Sequence, residues 1–239
     1  MDSAGHMHLN ARKLADFYES PVGQIARRMI YRRLRMMTPA RRPTNVLGFG
    51  FAVPYLRTLL TEAHRVVAMM PAQQGVVAWP SGRPLCALGE ELSLPFADET
   101  FDMVIMVHGL ESAESARPLM RQIWRVMAPE GRLLLVVPNR ASLWAQAERS
   151  PFAYGRPYLR GQLDMLLRES MFAPQRWESA LYFPPMKSRR FIGNGTGWER
   201  VGQVLWPRFA GVHLVDSSKS LFAATPVLVS DRKSLLARA

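Results

Sequence analysis

A glycine-rich turn at residues 46–54 is the segment of this sequence best suited to hold a cofactor. It reads Val-Leu-Gly-Phe-Gly-Phe-Ala-Val-Pro. A glycine turn between a strand and a helix lets a ligand approach backbone amides at the helix N-terminus. The turn therefore predicts cofactor contacts at Gly48, Phe49 and Gly50. A glycine at such a point can also serve only to relieve crowding between strand and helix, and the turn alone leaves both interpretations open.

His108 is the candidate catalytic residue. It follows residues 101–107, a nearly continuous apolar run that is typical of a buried, parallel central strand. Ligands of open α/β sheets bind at the carboxyl ends of the strands, so His108 is expected to touch a cofactor or a substrate. The competing interpretation is a partly buried histidine whose ring is satisfied by hydrogen bonds within the protein.

The elements around these residues alternate short apolar runs with helical stretches, which is typical of βαβ units. The sequence predicts strands at 45–49, 65–69, 85–88, 101–107, 132–137, 176–183 and 211–216, the last with a partner at 220–223. Predicted helices of this region are 54–63, 116–127 and 161–170. Two further helices, 10–18 and 22–37, precede the first strand. The chain is therefore expected to fold as an α/β protein.

Two motifs downstream of the glycine turn carry a family resemblance. Residues 94–104 read Leu-Pro-Phe-Ala-Asp-Glu-Thr-Phe-Asp-Met-Val, and residues 124–133 read Trp-Arg-Val-Met-Ala-Pro-Glu-Gly-Arg-Leu. In order and separation they resemble the LPF-x-D-x-x-FD-x-V run and the RVLKPGG-x-L turn of type 11 methyltransferases, which use S-adenosylmethionine (SAM). The resemblance covers 44–140 well and the terminal strand more loosely. It implies a Rossmann-like class I methyltransferase fold, with a mostly parallel seven-stranded sheet and helices on both faces.

The resemblance also implies where SAM would lie. In the family the cofactor lies over the glycine turn, and an apolar wall beside it receives the adenine ring. The turn after the fourth strand faces the methionine part of SAM. Carried onto this chain, the predicted cofactor contacts are Gly48, Phe49, Gly50, Met69, Glu90, Leu94, Phe96 and His108.

The chain departs from the family at the two positions where a carboxylate normally binds SAM. Gly48 stands at the acidic position of the first motif, and no Asp or Glu occurs between Arg65 and Glu90. The later glycines of the motif are replaced by Ala52 and Pro54. A hydrogen bond to a charged group contributes about 1.5–3 kcal/mol, or roughly one to two orders of magnitude in affinity. SAM is therefore expected either to bind weakly through substitute contacts or not to bind.

Two functions follow from these observations. One is a SAM-dependent methyltransferase, an enzyme with an unidentified acceptor, in which Tyr154, Arg156 and Tyr158 form part of a substrate lid. The alternative is a non-catalytic, methyltransferase-like protein that acts as a binding or assembly subunit of a complex. The sequence predicts no metal site.

The charge of the chain is concentrated in its flanks. The net charge is +12, of which residues 1–42 carry +6, residues 43–139 carry −2 and residues 140–239 carry +8. Arg28, Arg32 and Arg35 recur on one side of the second predicted helix. They predict a surface for an acidic protein partner, ahead of nucleic acid, because the helix lacks exposed aromatic residues for base stacking. An Arg-rich solvated surface is the simpler alternative.

The expected organisation has three parts. Residues 1–43 form a basic helical segment in which 1–6 read as a cloning scar, residues 44–226 form the methyltransferase-like domain with an insertion at about 184–210, and residues 227–239 form a tail. The chain shows no signal-peptide pattern, no transmembrane-length apolar run, and one cysteine, Cys86, which we interpret as inert. We therefore expect a cytoplasmic protein.

Overall fold

A mostly parallel sheet forms the centre of the part of the chain that this computed structural model describes, residues 9–38, 43–148, 150–185, 199, 202–203 and 205–220. In these residues the strands are β1 (Asn45–Gly50), β2 (Arg65–Pro71), β3 (Cys86–Gly89), β4 (Phe101–Val107), β5 (Met127–Pro138), β6 (Phe172–Ala180) and β7 (Val212–Lys219). Their order is β3-β2-β1-β4-β5-β7-β6, and β7 runs antiparallel to both neighbours. The predicted scar, the tail and most of the insertion lie outside the described residues.

Helices cover both faces of this sheet, as predicted. They are α1 (Ala11–Glu19), α2 (Pro21–Met37), α3 (Val53–Leu56), α4 (Leu59–Glu62), α5 (Ala116–Val126), α6 (Leu143–Gln146) and α7 (Arg160–Glu169). Side chains of α1 to α4 share one buried apolar cluster with alternate strand residues such as Val46 and Ile105. Side chains of α5 and α7 share the other cluster with Leu47 and Val104. None of the described helices is long and apolar enough to cross a membrane.

The N-terminal helices pack onto the domain as a tight pair. Asn10 caps α1 by accepting a hydrogen bond from the amide of Arg12 at 2.8 Å, and Ser20 caps α2 by accepting one from Gly23 at 3.1 Å. A Cβ atom at Gly23 would lie 1.8 Å from the carbonyl oxygen of Phe17, so only glycine allows this close approach. The pair places the end of α1 over the carboxyl ends of the strands.

The two family-like motifs hold each other in place. Arg125 donates to the carbonyl oxygens of Leu94 at 2.9 Å and Phe96 at 2.8 Å, and it pairs with Asp98 at 2.7 Å. Asp102 accepts hydrogen bonds from the amides at residues 44 and 45, which begin β1. These motif residues therefore build the scaffold around the site.

Three elements differ from the sequence prediction. The predicted helix 54–63 is divided into α3 and α4. The predicted strand 176–183 is β6, which begins at Phe172 and ends at Ala180. It ends there because the amides of Leu181 and Tyr182 bind the carboxylate of Glu199, at 3.0 and 2.9 Å, instead of continuing the sheet. The predicted pair at 211–223 is one strand, β7, up to Lys219, and residues 221–223 lie outside the described part.

Candidate functional site

Five buried side chains meet at the carboxyl ends of β1 and β4, and we call them the His108 cluster. They come from α1, α3, the turn after β2 and the turn after β4, and each is at least nine-tenths buried: Tyr18, Tyr55, Gln74, His108 and Glu111. The sequence predicted only His108 among them. Tyr18, Tyr55 and Gln74 come from elements distant in sequence, with Tyr18 ninety positions before His108, whereas Glu111 lies three positions after it in the same turn.

Hydrogen bonds hold both nitrogens of the His108 ring. Nε2 lies 2.9 Å from the Tyr18 hydroxyl, which accepts a hydrogen bond from Tyr55 at 3.1 Å, and Nδ1 lies 3.1 Å from Glu111 Oε1. Burial raises the pKa of Tyr18 and of Tyr55, so both phenols stay protonated and act as donors. With Tyr18 donating to Nε2, the network assigns the proton of a neutral His108 to Nδ1, facing the Glu111 carboxylate.

Gln74 crosses the sheet above β1. Its side-chain amide donates to the carbonyl oxygen of His108 at 3.0 Å. Because Gln74 follows β2 and His108 follows β4, with β1 between these strands, the side chain spans the carboxyl end of β1. This is the crevice in which α/β sheets of this kind bind ligands.

Two acceptor atoms of the cluster are buried without a hydrogen-bond partner among the described residues, Gln74 Oε1 and Glu111 Oε2. An unsatisfied buried polar group costs about 1–3 kcal/mol, more when it is charged. Both groups bind His108 through their other polar atom. The cluster therefore holds two buried acceptors, each on a side chain bound to His108, that suit a positively charged donor.

Gly48 and Gly50 are required for different reasons. A Cβ atom at Gly48 would lie 2.5 Å from Cδ1 of Leu56, which is crowding between strand and helix. Gly50 has a φ of +74°, and its Cβ atom would lie 2.4 Å from the carbonyl oxygen of Val107, at the crossing of the two strand ends. His108 itself has a φ of +51°, a conformation that costs a non-glycine residue about 1–3 kcal/mol.

The other predicted cofactor contacts are not gathered around His108. Phe49, Met69 and Leu94 are buried in the apolar cluster on the α5 face, with almost no exposed surface. Phe96 is half-buried and packs edge-on against the ring of Phe101 at 5.0 Å. Glu90 is exposed after the end of β3. Gly50 and His108 are therefore the predicted contacts that the structure brings together, and the buried ring of Phe49 packs against the neighbouring Gly109.

The predicted lid lies against the turn that carries Glu111. The amide of Arg156 donates to the carbonyl oxygen of Glu111 at 2.7 Å. Gly155 has a φ of +76°, and a Cβ atom there would lie 2.2 Å from the same oxygen, so the position requires glycine. Arg156 and Tyr158 line a cavity of about 850 Å³, whereas Tyr154 is half-buried outside its lining. Two of the three predicted lid residues thus share a cavity.

A smaller cavity of about 470 Å³ lies beside the glycine turn. Its walls include Phe51 from the turn, Trp79 from the loop after β2, and Tyr18. Helix α1 adds the exposed carboxylates of Asp16 and Glu19. Acidic groups of the N-terminal helix therefore reach this region, where Arg12, Arg27 and Arg57 also line the cavity.

A second buried histidine lies away from the cluster, on β7. His213 lines a cavity of about 620 Å³ together with Arg160 and Trp177, and its Nε2 has no partner within the described ranges. Burial, reinforced by the charge of Arg160, lowers the pKa of His213 to about 4. The ring is therefore neutral near neutral pH.

The predicted arginine surface on α2 is exposed. Arg35 pairs with Glu62 at 2.8 Å, whereas Arg28 and Arg32 form no ion pair within the part of the chain that the structure describes. The buried side of the helix is apolar, with Met29 and Ile30 in the core. Arg28, Arg32 and Arg35 therefore face solvent.

Changing Arg28 and Arg32 to glutamate is expected to alter the free energy of unfolding by no more than about 0.5 kcal/mol per residue, because exposed side chains without partners contribute little. Adding Arg35→Glu is expected to cost slightly more, since it places like charges beside Glu62. Urea unfolding of the double and triple variants measures both effects. A double variant that fails to fold would show that these arginines are structural and would remove the partner surface.

Comparisons with known proteins agree with this architecture. Residues 47–135 match the family described as a methyltransferase domain. A demethylmenaquinone methyltransferase of Corynebacterium urealyticum is 28% identical over 137 residues, which cover 53% of each chain. A malonyl-[acyl-carrier protein] O-methyltransferase of Halorhodospira halophila is 31% identical over 123 residues, which cover 47% of this chain and 41% of that protein. The chain thus aligns with about half the length of these curated relatives.

Solved structures show the same fold. A SAM-dependent methyltransferase of Thermotoga maritima, described as a possible histamine N-methyltransferase, superposes with a TM-score of 0.58 at 15% identity, covering 87% of this chain and 96% of that one. The resemblance predicted from the two motifs is confirmed. The chain has the class I methyltransferase fold, and its residues 47–135 match the methyltransferase-domain family.

Proposed function

We propose that this protein is a SAM-dependent methyltransferase in which the His108 cluster binds the amino-acid end of SAM. The observation that carries the proposal is the pair of buried, unpartnered acceptors, Gln74 Oε1 and Glu111 Oε2, at the carboxyl ends of the central strands. SAM supplies an electrophilic methyl group on a sulfonium that needs no further activation. The protein has to position the acceptor in line with that methyl group.

The residues of the cluster fit the chemistry of the cofactor. The ammonium group of SAM offers three hydrogen-bond donors and a positive charge, and a buried carboxylate such as that of Glu111 gains most from such a partner. Glu111 would then take the place of the acidic residue that the family has at the position of Gly48 in the first motif. Gln74 supplies a second acceptor from the turn after β2, where the family has its ribose-binding acid.

His108 is the basic group of this proposal. Its Nε2 accepts a hydrogen bond from Tyr18, so a proton released by the methyl acceptor can reach the ring through the Tyr18 hydroxyl. Glu111 at Nδ1 stabilises the imidazolium that forms and fixes the orientation of the ring. A methyl acceptor that loses no proton needs only to be positioned by the protein.

Isothermal titration calorimetry with SAM and with its demethylated product, S-adenosylhomocysteine, tests the proposal. We expect saturable binding of both at or below millimolar concentration. Methylthioadenosine, which lacks the amino-acid group, is expected to bind about 10- to 150-fold more weakly, the equivalent of one charge-assisted hydrogen bond. Folded protein that gives no heat with either ligand would exclude the proposal, and equal affinity for methylthioadenosine would exclude the role of the cluster.

A second candidate function is favoured by one observation, the hydrogen bond from Gln74 to His108 across β1. A side chain in that position closes the crevice, which suits a methyltransferase-like binding or assembly subunit. Its partner would be an acidic protein held by Arg28, Arg32 and Arg35, with nucleic acid less favoured. A protein that binds no S-adenosylhomocysteine, but binds polyglutamate in a salt-sensitive manner through these arginines, would support this alternative. Either function fits a cytoplasmic location, to which the single cysteine is suited.

A further inference from the structure

We propose that the cavity of about 850 Å³ between α5 and α7 binds an oxyanion, a carboxylate or a phosphate group, carried on an apolar body. We further assign this cavity to the methyl acceptor. That second step rests on the proposed function, whereas binding of the anion does not.

The cavity has the size and the walls of a small-molecule site. Sites for small ligands are concave, mostly apolar and about 300–1,000 Å³ in volume. Apolar surface comes from Pro118 on α5, from Pro157 and Tyr158 on the loop before α7, and from Met165 and Leu166 on α7. Met165 is 61% exposed although it faces this cavity, so an apolar ligand would bury a large side chain that water now touches.

The unpaired charges in the walls are mainly positive. Arg117 is neutralised by Glu169 at 2.7 Å across the cavity. Arg140 and Arg156 have no ion-pair partner anywhere in the described portion of the chain, and Glu114 is the remaining acid of the lining. A guanidinium group binds carboxylate and phosphate in bidentate geometry, so two of them in one cavity favour an oxyanion over a neutral ligand.

The N-terminus of α5 adds to this preference. The helix spans eleven residues, its first turn contains no acidic residue, and the Ser115 side chain caps none of its amides. Residues 114–118 line the cavity, so the positive end of the helix dipole lies at its wall. This feature supplements the two arginines.

The cavity is joined to the His108 cluster through its inner wall. The amide of Arg156 binds the carbonyl oxygen of Glu111, whose buried Oε2 has no partner within the described residues. Tyr158 lines the cavity next to Arg156, and burial, followed by the charge of Glu111, raises the pKa of its phenol. A ligand in this cavity therefore lies beside the cluster to which we assign the amino-acid end of SAM.

Calorimetry with four probes tests the anion site: inorganic phosphate, octyl phosphate, octanoate and octanol. Octyl phosphate or octanoate is expected to bind at least tenfold more tightly than octanol, and the stronger of the two identifies the head group. Arg140→Gln with Arg156→Gln is expected to lower the affinity for the stronger anion at least tenfold and to leave S-adenosylhomocysteine binding unchanged. Octyl phosphate is also expected to bind protein saturated with S-adenosylhomocysteine, as an acceptor must.

Arg28→Gln with Arg32→Gln is the matched control, because it removes the same charge from exposed arginines without ion pairs in the described chain. Equal loss of anion binding in both double variants would overturn the site, as would equal affinity for octanol and the anions. Competition between octyl phosphate and S-adenosylhomocysteine would overturn the acceptor assignment. If S-adenosylhomocysteine does not bind but the anion does through Arg140 and Arg156, the proposed function fails and the anion site stands.

Discussion

Glu111→Gln is expected to weaken S-adenosylhomocysteine binding by about 10- to 150-fold, the worth of one hydrogen bond to a charged group. Glutamine retains the oxygen that faces His108 Nδ1, but it places an amide NH₂ where the unpartnered Oε2 lies. That NH₂ cannot accept from an ammonium group. The free energy of unfolding is expected to stay equal or to rise, because a buried carboxylate is replaced by a neutral group. Calorimetry and urea unfolding of the same variant give both quantities.

The stability measurement separates a ligand contact from a structural ion pair. If Glu111 served only to pair with a protonated His108, breaking the pair would destabilise the fold by about 3–5 kcal/mol. Glu148→Gln is the control, since Glu148 is exposed and lies outside the cluster and outside the cavities described above. Wild-type affinity in Glu111→Gln, or the same loss in Glu148→Gln, would contradict the assignment of the cofactor ammonium to Glu111.

Acid is expected to destabilise the protein by about 3 kcal/mol through His213 alone, as pH falls from the unfolded pKa near 6.5 toward the folded pKa of about 4. In this window the unfolded chain binds a proton that the folded protein excludes, so stability rises with pH and is fully regained above about pH 6.5. Urea unfolding between about pH 7.5 and about pH 4 measures the slope. The buried ring, beside Arg160, is the cause.

Variants of His213 and of an exposed histidine separate the contribution of His213 to acid destabilisation from that of other titratable groups. Glu199 acts in the opposite direction, because burial raises its pKa and its contribution to stability is lost as pH rises. His213→Gln is expected to flatten the acid slope, whereas His64→Gln, at an exposed position, is expected to retain it. An unchanged slope in His213→Gln would show that His213 is not the group responsible.

The fold was largely predictable where the signal is local. β4 was predicted at its observed bounds, because a buried parallel strand is a nearly continuous apolar run. β6 was misplaced by several residues, because its end is set by Glu199, which binds the backbone from 17 and 18 positions away. The division of the helix after β1 into α3 and α4 had no recognised local signal.

The position of the His108 cluster at the carboxyl ends of the strands was predictable, but most of its members were not. Gly50 and His108 follow strands, so the general rule for α/β sheets located them. Phe49, Met69 and Leu94 were predicted as contacts from the family resemblance, but the structure buries them in the core on the α5 face. Tyr18 and Gln74 reach His108 only through the packing of α1 and of the turn after β2. Glu111 offered a usable signal, a carboxylate three positions after the candidate histidine.

The hydrogen bonds of Arg125 to the carbonyl oxygens of Leu94 and Phe96 affect what sequence similarity to other proteins can show. These carbonyl oxygens belong to one family-like motif, while Arg125 belongs to the other, and Asp102 serves the start of β1. Similarity in these segments therefore reflects contacts that hold the scaffold together. A protein can retain every one of these contacts while its ligand changes, so the ligand has to be tested at other residues, which here are Gln74, Glu111 and the arginines of the α5–α7 cavity.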